Sequence, residues 1–528
     1  MPLISTHSSR LPGGASRLGA GVLALLLPLL PAGVGCGHEA PPPKVLVIGL
    51  DGGTFELIGP WLEAGELPRL KALMDSGVHG DLLSVLPPLS PPAWTSAVTG
   101  VNPGAHGIFD FQRVDFTTRT TLLETGASRR VPALWTLLSD GGRRVGVVNV
   151  PMSDPPDPVN GFMVSGFPHP DSIGIAYPEA LEKRIHRFGY RLDTMGGKLL
   201  PGHEAELRAQ FLDTFHARRR LALQLGAENP DLDLYWVVFT ATDRMQHFFW
   251  KFMEKDHPFY DPALAPEFGD SIKDLWKEID AAVGELVDQA AAQADDQGRE
   301  LAVLVLSDHG FTGVHRAFRP QSFLRHPTDG AEPVTAAYSL ETNASMLYVP
   351  VEGREAGARR TQEEQQAMLD EIHRRILAAR DTARGNVSPV LFGAKAKDIY
   401  TGRYVDKAPD LVYLPRNHYY FINEAGDKDP FGTPEFTFSA HHKLNGMLIA
   451  QGPMFRTGLL EGKQTLLDIA PTVMYLAGLE VPGYMEGDVL TATLKKDYLE
   501  RRPVRRDRSE ARETGGTGET IRSIPYVQ

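Results

Sequence analysis

A chain of 528 residues, 42% hydrophobic and 23% charged, can build one large domain with insertions or two domains; it is too polar for a polytopic membrane protein and too apolar to stay unfolded. Its net charge of −12 supplies no broad positive field, which argues against a nucleic-acid polymer as partner but leaves small anions open, because bound cations can provide local positive charge. The single cysteine, Cys36, excludes an internal disulfide framework and a multi-cysteine zinc site.

At the start of the chain, Arg10 and Arg17 precede an apolar run from Leu18 through Leu30, and the small residues Ala32, Gly33, Val34 and Gly35 lead to Cys36. This is the layout of a secretory signal, too short and too broken by proline for a membrane span. Its end resembles a bacterial lipoprotein signal, in which the cysteine becomes the lipidated first residue. Gly33 departs from the bulky residue usual three positions before that cysteine, so an ordinary cleaved signal is the alternative. The expectation is a signal over 1–36, a tether over 37–43 stiffened by Pro41, Pro42 and Pro43, and an exported chain lipid-anchored at the cell envelope through Cys36.

The run KVLVIGL from Lys44 to Leu50 predicts a buried parallel strand, ended by Asp51-Gly52-Gly53. Apolar runs of strand length recur at Val145 to Val150, Tyr235 to Thr240, Leu301 to Leu306 and Gly446 to Ala450. Helical patterns lie between or beyond them, at Leu67 to Ser76, Pro132 to Ser139, Glu204 to Leu225, Ser271 to Ala294 and Leu466 to Leu476. The alternation predicts an α/β fold: a central, mostly parallel β-sheet flanked by helices, within a domain spanning 44–494. Loops rich in Pro, Gly and aromatics interrupt it at about 110–202 and 311–438, expected as substrate-side insertions beside the sheet. From about Lys495 the chain shows no apolar periodicity, and residues 495–528 are expected to form a flexible tail.

Position singles out the chemistry. Asp51 directly follows one predicted strand, Asp243 lies just beyond another, and Asp308-His309 follows a third after one serine. All fall at carboxyl ends, the edge at which open parallel sheets bind ligands. A single aspartate there is usually a turn or cap residue. Asp243 and His247, four apart, share one face of a helical turn and can reach one cation. Mixed carboxylate and imidazole donors suit Zn²⁺ or Mn²⁺ better than Ca²⁺. Ser90, before Pro91 and Pro92, reads either as a helix N-cap or as a hydroxyl that ligates a metal and attacks phosphorus, with the free N–H groups of the helix holding an anionic oxygen. Thr95 and Ser96 are alternative hydroxyls, less free because they lie inside the helix.

From Lys44 to about Leu490 the chain resembles the alkaline phosphatase superfamily, in particular its type I phosphodiesterase/nucleotide pyrophosphatase branch. The matching segments are VLVIGLDGGTF around Asp51, SPPAWTSAVTGVNPGAHGIFDF from Ser90, TDRMQH around Asp243, LSDHGF around Asp308, HHKLNGMLIAQGP from His441 and LLDIAPTVMYLAGLEVPGYMEG from Leu466. The resemblance implies two adjacent divalent metal ions, one held by Asp51, Ser90, Asp308 and His309 and the other by Asp243, His247 and His442. His442 is chosen over His441 because the family's histidine sits four residues before a glycine, here Gly446. His441 is then expected as a solvent-facing neighbour, and His106 as part of a structural turn. In two places the chain departs from its relatives. Ala93 replaces an asparagine usual in the nucleotide pyrophosphatases, and Trp94 stands where a sulfatase signature needs arginine.

The implied reaction is hydrolysis of a small phosphoester, most simply a phosphodiester or nucleotide pyrophosphate, through a phosphoryl-serine on Ser90, with the two metals about 4 Å apart. Alternatives are a phosphomonoesterase or phosphate-group transferase, a sulfatase-like hydrolase, or a lipid-anchored binding module that has lost catalysis.

Overall fold

The computed structural model describes residues 41–169, 173–191, 193, 201–327, 332–340, 343–423, 429–434 and 438–508. The expected signal with Cys36, residues 37–40 of the tether and the chain beyond 508 lie outside the described residues. KVLVIGL forms the strand Lys44–Leu50, buried along its length. Both of its faces are covered: Val45 and Val47 enter a core with Trp94, Trp236 and Leu304, while Leu46, Ile48 and Leu50 enter the opposite one with Val237, Val303 and Phe248. A fully buried aliphatic side chain of this kind contributes roughly 1.5–3 kcal/mol. The strand pairs in parallel with Leu234–Phe239 and Leu301–Leu306 on its two sides.

Beyond Leu234–Phe239 the sheet continues in parallel through Val145–Val148 and Gly161–Val164 to an antiparallel edge at Ala176–Tyr177. In the other direction it runs through the antiparallel Asn445–Gln451 to Val78–Leu83 and Gly458–Leu459. Helices Pro68–Ser76, Glu204–Glu228, Ala241–Met253 and Ser271–Asp296 pack on one face, and Ser90–Thr99, Leu134–Asp140 and Ile469–Leu476 on the other. The central, mostly parallel sheet between helical layers is the α/β architecture read from the alternation of elements. No helix among the described residues is long and apolar enough to cross a membrane.

Residues 110–202 are not chiefly an insertion. Val145–Val148, Gly161–Val164 and Ala176–Tyr177 extend the central sheet, and the hairpin Gln112–Asp115/Thr120–Leu123 is the part that stands outside it. The first of these strands is the apolar run read at Val145 to Val150, whereas strands of four and two residues at Gly161–Val164 and Ala176–Tyr177 are too short to show the pattern that marks longer ones. Residues 311–438 build a four-stranded sheet, ordered Tyr338–Leu340, Asn343–Tyr348, Leu411–Pro415, Val390–Lys395, with the helix Gln362–Ala378. A separate core that includes Leu347, Ile372, Ile376 and Tyr413 holds it together.

The expected tail also needs correction, because residues to 508 are tied down. Lys496–Arg501 is helical with Tyr498 buried, Val481 N–H donates to Arg505 O (2.9 Å) while the Val481 carbonyl accepts from Asp507 N–H (3.0 Å), and Arg506 donates to the carbonyls of Met485 (3.0 Å) and Gly487 (2.6 Å). Polar anchoring of this sort leaves no apolar periodicity to read.

Candidate active site

Register brings the remote segments level. Leu50 lies beside Phe239 and Gly49 beside Leu306, so Asp51, the helix carrying Asp243 and the Asp308-His309 pair emerge together at one end of the parallel strands. Ser90 Oγ lies 3.3 Å from His309 Nε2, and that nitrogen is 3.2 Å from Asp308 Oδ2 and 3.6 Å from Asp51 Oδ1. Beside this group, His442 Nε2 is 3.1 Å from Asp243 Oδ1 and 3.0 Å from His247 Nε2, with His247 Nε2 3.4 Å from Asp243 Oδ1. The rings of His309 and His442 stack at 3.6 Å and join the two groups. All seven residues singled out from the sequence therefore meet in one place.

The imidazoles share an orientation. Nδ1 of His247 donates to Ala440 O (2.8 Å), that of His442 to Pro88 O (3.0 Å) and that of His309 to Gly310 O (3.2 Å). A carbonyl on Nδ1 fixes the tautomer and leaves each Nε2 as a lone pair aimed inward, the arrangement that metal-ligating histidines show. On the carboxylates, Gly52 N–H donates to Asp308 Oδ1 (3.1 Å) and the Trp94 indole to Asp51 Oδ2 (3.1 Å). The other oxygens, Asp51 Oδ1 and Asp308 Oδ2, are buried without a hydrogen-bond partner among the described residues. Buried anionic oxygens left without donors call for positive charge. The residues therefore fit cations: the unpaired carboxylate oxygens and the inward Nε2 atoms make up their donor set.

Electrostatics separates the two groups. Burial, reinforced by the charges of Asp308 and Asp243, pushes Asp51 well above the usual carboxylate range; burial and Asp243 push Asp308 up to about 7. Asp243 lies well below the usual range: its burial works against this, but His247 and Arg244 outweigh it, and Arg244 donates to Asp243 Oδ2 at 2.7 Å. Burial foremost holds His309 well below its ordinary value and lowers His442 as well, so both are neutral near pH 7.

The candidate hydroxyls now separate. Ser90 is not the N-cap: that position belongs to Leu89, no side chain caps this end, and Ser90 opens the helix with its hydroxyl uncommitted to the backbone. Thr95 Oγ1 donates back to Pro91 O (2.7 Å), and Ser96 Oγ is engaged by His106 Nε2 (3.0 Å). His106 also accepts from Ile108 N–H through Nδ1, so both of its nitrogens serve the local turn. The expected anion cradle at the helix start is largely missing, because Pro91 and Pro92 have no N–H and Ala93 N already donates to Leu89 O.

Other residues emerge only from the fold. His441 is half-buried: its ring packs 4.3 Å from that of Tyr420, and burial holds its imidazole well below the ordinary value. Strand pairing explains this, since His442 opposes Phe311 and His441 opposes Thr312 in a two-stranded ribbon beside the site. Trp94 reaches Asp51 because Gly49 leaves the room; a Cβ on Gly49 would sit 2.5 Å from the indole. Gly52 combines a φ of +71° with a close approach to the Phe311 ring, and no other residue fits both conditions. The glycines at 49 and 52, flanking an aspartate after a strand, were the sequence signal for crowding here.

Residues 45–443 match the family described as type I phosphodiesterase / nucleotide pyrophosphatase. No curated protein sequence matches the chain significantly. Among solved structures, murine ectonucleotide pyrophosphatase / phosphodiesterase 5 is similar, with TM-score 0.52 and 14% identity over 83% of this chain and 95% of that one. Its inactive variant in complex with AMP gives TM-score 0.51 at 14% identity, with the same shares covered. Phosphonoacetate hydrolase from Sinorhizobium meliloti in complex with phosphonoacetate gives TM-score 0.52 at 16% identity over 84% of this chain and 97% of that one. At such identities the likeness to the solved structures is one of fold.

Proposed function

Because this chain belongs to the type I phosphodiesterase / nucleotide pyrophosphatase family, we propose that it hydrolyses small phosphoesters, phosphodiesters or nucleotide pyrophosphates in particular, with Ser90 as nucleophile. The observation that carries this reading is the placement of Ser90 Oγ on the Nε2 side of His309, where the unpaired oxygens of Asp51 and Asp308 also lie. A Ser–His–Asp relay would put a carboxylate on Nδ1, which here faces the Gly310 carbonyl. Oxygen and nitrogen donors converging from all sides are instead a ligand set.

Asp51, Ser90, Asp308 and His309 would hold one divalent cation and Asp243, His247 and His442 the other, with zinc the best match to this donor set and manganese the alternative. Bound there, the cations would lower the pKa of the Ser90 hydroxyl and offset negative charge on the phosphoryl and leaving oxygens. Ser90 Oγ gives up its proton to solvent and bonds to phosphorus as the bond to the leaving oxygen breaks, and that oxygen takes a proton from water. A water molecule then attacks the phosphoryl-serine, the P–Oγ bond breaks, and Ser90 is reprotonated. Trp94 and Gly52 hold Asp51 and Asp308 from behind, Arg244 holds Asp243, and carbonyl oxygens aim the three imidazoles.

The deciding experiment gives the purified chain, with zinc or manganese, a panel of aryl phosphodiesters, nucleotide pyrophosphates, phosphomonoesters, phosphonates and sulfate esters. Diester or pyrophosphate turnover that needs added metal is expected. Preference for a monoester, a phosphonate or a sulfate would replace the substrate assignment, and inertness towards the whole panel would favour a non-catalytic binding module. Trp94→Phe keeps an aromatic ring against Gly49 but removes the donor to Asp51, and is expected to weaken zinc affinity or activity about 10–100-fold. Unchanged zinc binding in that variant would count against Asp51 as a ligand. We further propose that the chain sits at the cell envelope on a lipidated Cys36, which requires its recovery in the membrane fraction after lysis.

A further inference from the structure

Two helical turns beyond His247, at the end of the same helix, lies a second group with ligand character. Glu254, His315 and His418 each offer a donor atom, and these atoms lie within 4.8 Å of one another. The group stands apart from the candidate active site: seven residues of helix, about 10 Å of rise, separate Glu254 from His247. His315 lies just past the strand Gly310–Gly313, and His418 comes from the inserted unit.

Two of the three donors are held from behind. The Trp250 indole donates to Glu254 Oε2 (2.7 Å), leaving Oε1 to face His315. His418 Nδ1 donates to Gly313 O (3.1 Å), leaving its Nε2 free as a lone pair. His315 is 9% exposed, and its Nε2, 3.2 Å from Glu254 Oε1, lies in a direction that makes no hydrogen bond. A cation between this nitrogen and the Glu254 carboxylate would satisfy both, as one would satisfy the unpaired oxygens of Asp51 and Asp308. Donors around a tetrahedral zinc with bonds of about 2.0–2.1 Å lie about 3.3 Å apart, so the His315–Glu254 spacing already suits one.

The backbone is also committed to this arrangement. His418 holds a left-handed φ of +70°, uncommon for a residue with a bulky side chain, while its carbonyl accepts from both His315 N (2.9 Å) and Arg316 N (3.0 Å). The imidazoles of His315 and His418 lie 4.4 Å apart, centre to centre. Gly313 has no room for a side chain: a Cβ there would meet the Glu254 carboxylate at 2.2 Å. His257 is close as well, but its Nε2 donates to Ser439 O and its Nδ1 accepts from Phe259 N–H, so it serves the wall and not the ligand set.

We propose that Glu254, His315 and His418 form a third cation site, of the two-histidine, one-carboxylate type that takes zinc, with solvent in the fourth position. It would staple the far end of the helix carrying Asp243 and His247 to the strand that follows His309 and to the inserted unit. The site stands on its own residues and does not depend on the chemistry assigned to Ser90.

The test strips the full-length chain with a chelator, re-equilibrates it with Zn²⁺ alone and measures bound zinc per chain. His315→Gln and His418→Ala are each expected to bind one zinc fewer than the unaltered chain, and the double variant no fewer than either. Asp51→Ala removes metal independently, so its loss adds to theirs, and a failure of the two-metal reading would show there and not in the difference at His315. Equal zinc in the unaltered chain and both variants overturns the proposal. Should His418→Ala unfold, as near-ultraviolet circular dichroism would reveal, His315→Gln decides, since glutamine keeps a polar group opposite Glu254. Co²⁺ in place of Zn²⁺ supplies a second readout: the visible absorption missing from His315→Gln must have the intensity of a four- or five-coordinate site.

Discussion

Replacing Ser90 with alanine is expected to cut phosphoester turnover by at least about 10³-fold while leaving the fold and the bound metal largely intact, because loss of a covalent nucleophile leaves only the charge stabilisation and positioning around it. The fold should tolerate the change for a local reason. Ser90 opens its helix without capping it, Leu89 holds the cap position, and Pro91 and Pro92 preset the first turn. Steady-state kinetics with the best panel substrate, together with zinc content and thermal unfolding, checks all three claims. Ser90→Ala retaining more than a tenth of the activity would falsify the covalent route and point to direct attack by water. Thr95→Ala and Ser96→Ala should not imitate it, since their hydroxyls are spent on Pro91 O and His106.

The second large effect concerns metal removal and pH, and its sign follows from the carboxylates. In the stripped protein Asp308 titrates at about 7 and Asp51 is raised as well, so the folded chain holds these protons more tightly than the unfolded chain does. At low pH both states are protonated and nothing is lost. As pH rises through about 7, the folded chain must either keep protons its unfolded form has released or bury uncompensated charge, so these groups destabilise it. His309, His441, His442 and His106 act oppositely below about pH 6.5, because their lowered pKa values let them charge only on unfolding.

Comparison with Asp308→Asn at each pH removes most of that histidine contribution. Without metal, Asp308→Asn is expected to unfold at a higher temperature than the unaltered chain at pH 8, with the gap closing towards pH 5. With zinc present the order should reverse, since the unaltered chain gains the full binding free energy of the cation that Asp308 helps to hold and the variant loses much of it. Turnover should vanish on chelation and return with metal, and Asp308→Asn should lose more zinc affinity than the ~10–100-fold typical of an outer-shell partner. Identical unfolding temperatures for the two stripped proteins at pH 8 would mean that Asp308 is not a strained, charge-seeking carboxylate.

The site was legible to different depths at different residues. Asp51, Asp243, Asp308 and His309 could be placed because each follows a strand visible as an unbroken apolar run, and the end of a parallel strand has a defined place in a sheet. His442 was reached only through resemblance to relatives, since its strand Ala440–Lys443 is four residues long and its partner across the ribbon lies far back in the chain, at Phe311. The surroundings of His441 were hidden for the same reason: whether a residue faces the site or Tyr420 depends on the register of that ribbon. Ser90 resembled a cap because serine before proline usually is one. Its freedom from capping depends on where Leu89 and His309 come to rest.

By itself, then, the sequence determined the α/β class, the strands Lys44–Leu50, Leu234–Phe239 and Leu301–Leu306 and the chemical character of the ligand set, because burial on two faces and polar punctuation at strand ends are written locally. Tertiary structure alone decided that Gly161–Val164 and Ala176–Tyr177 extend the central sheet, that Trp94 supports Asp51, that the Ser90 hydroxyl is not spent on its own helix and that Glu254, His315 and His418 meet. The physical reason is range. Alternation and capping act over a few residues, whereas donors separated by tens to hundreds of positions are brought within hydrogen-bonding distance by strand register and by the gaps that glycines leave between packed elements.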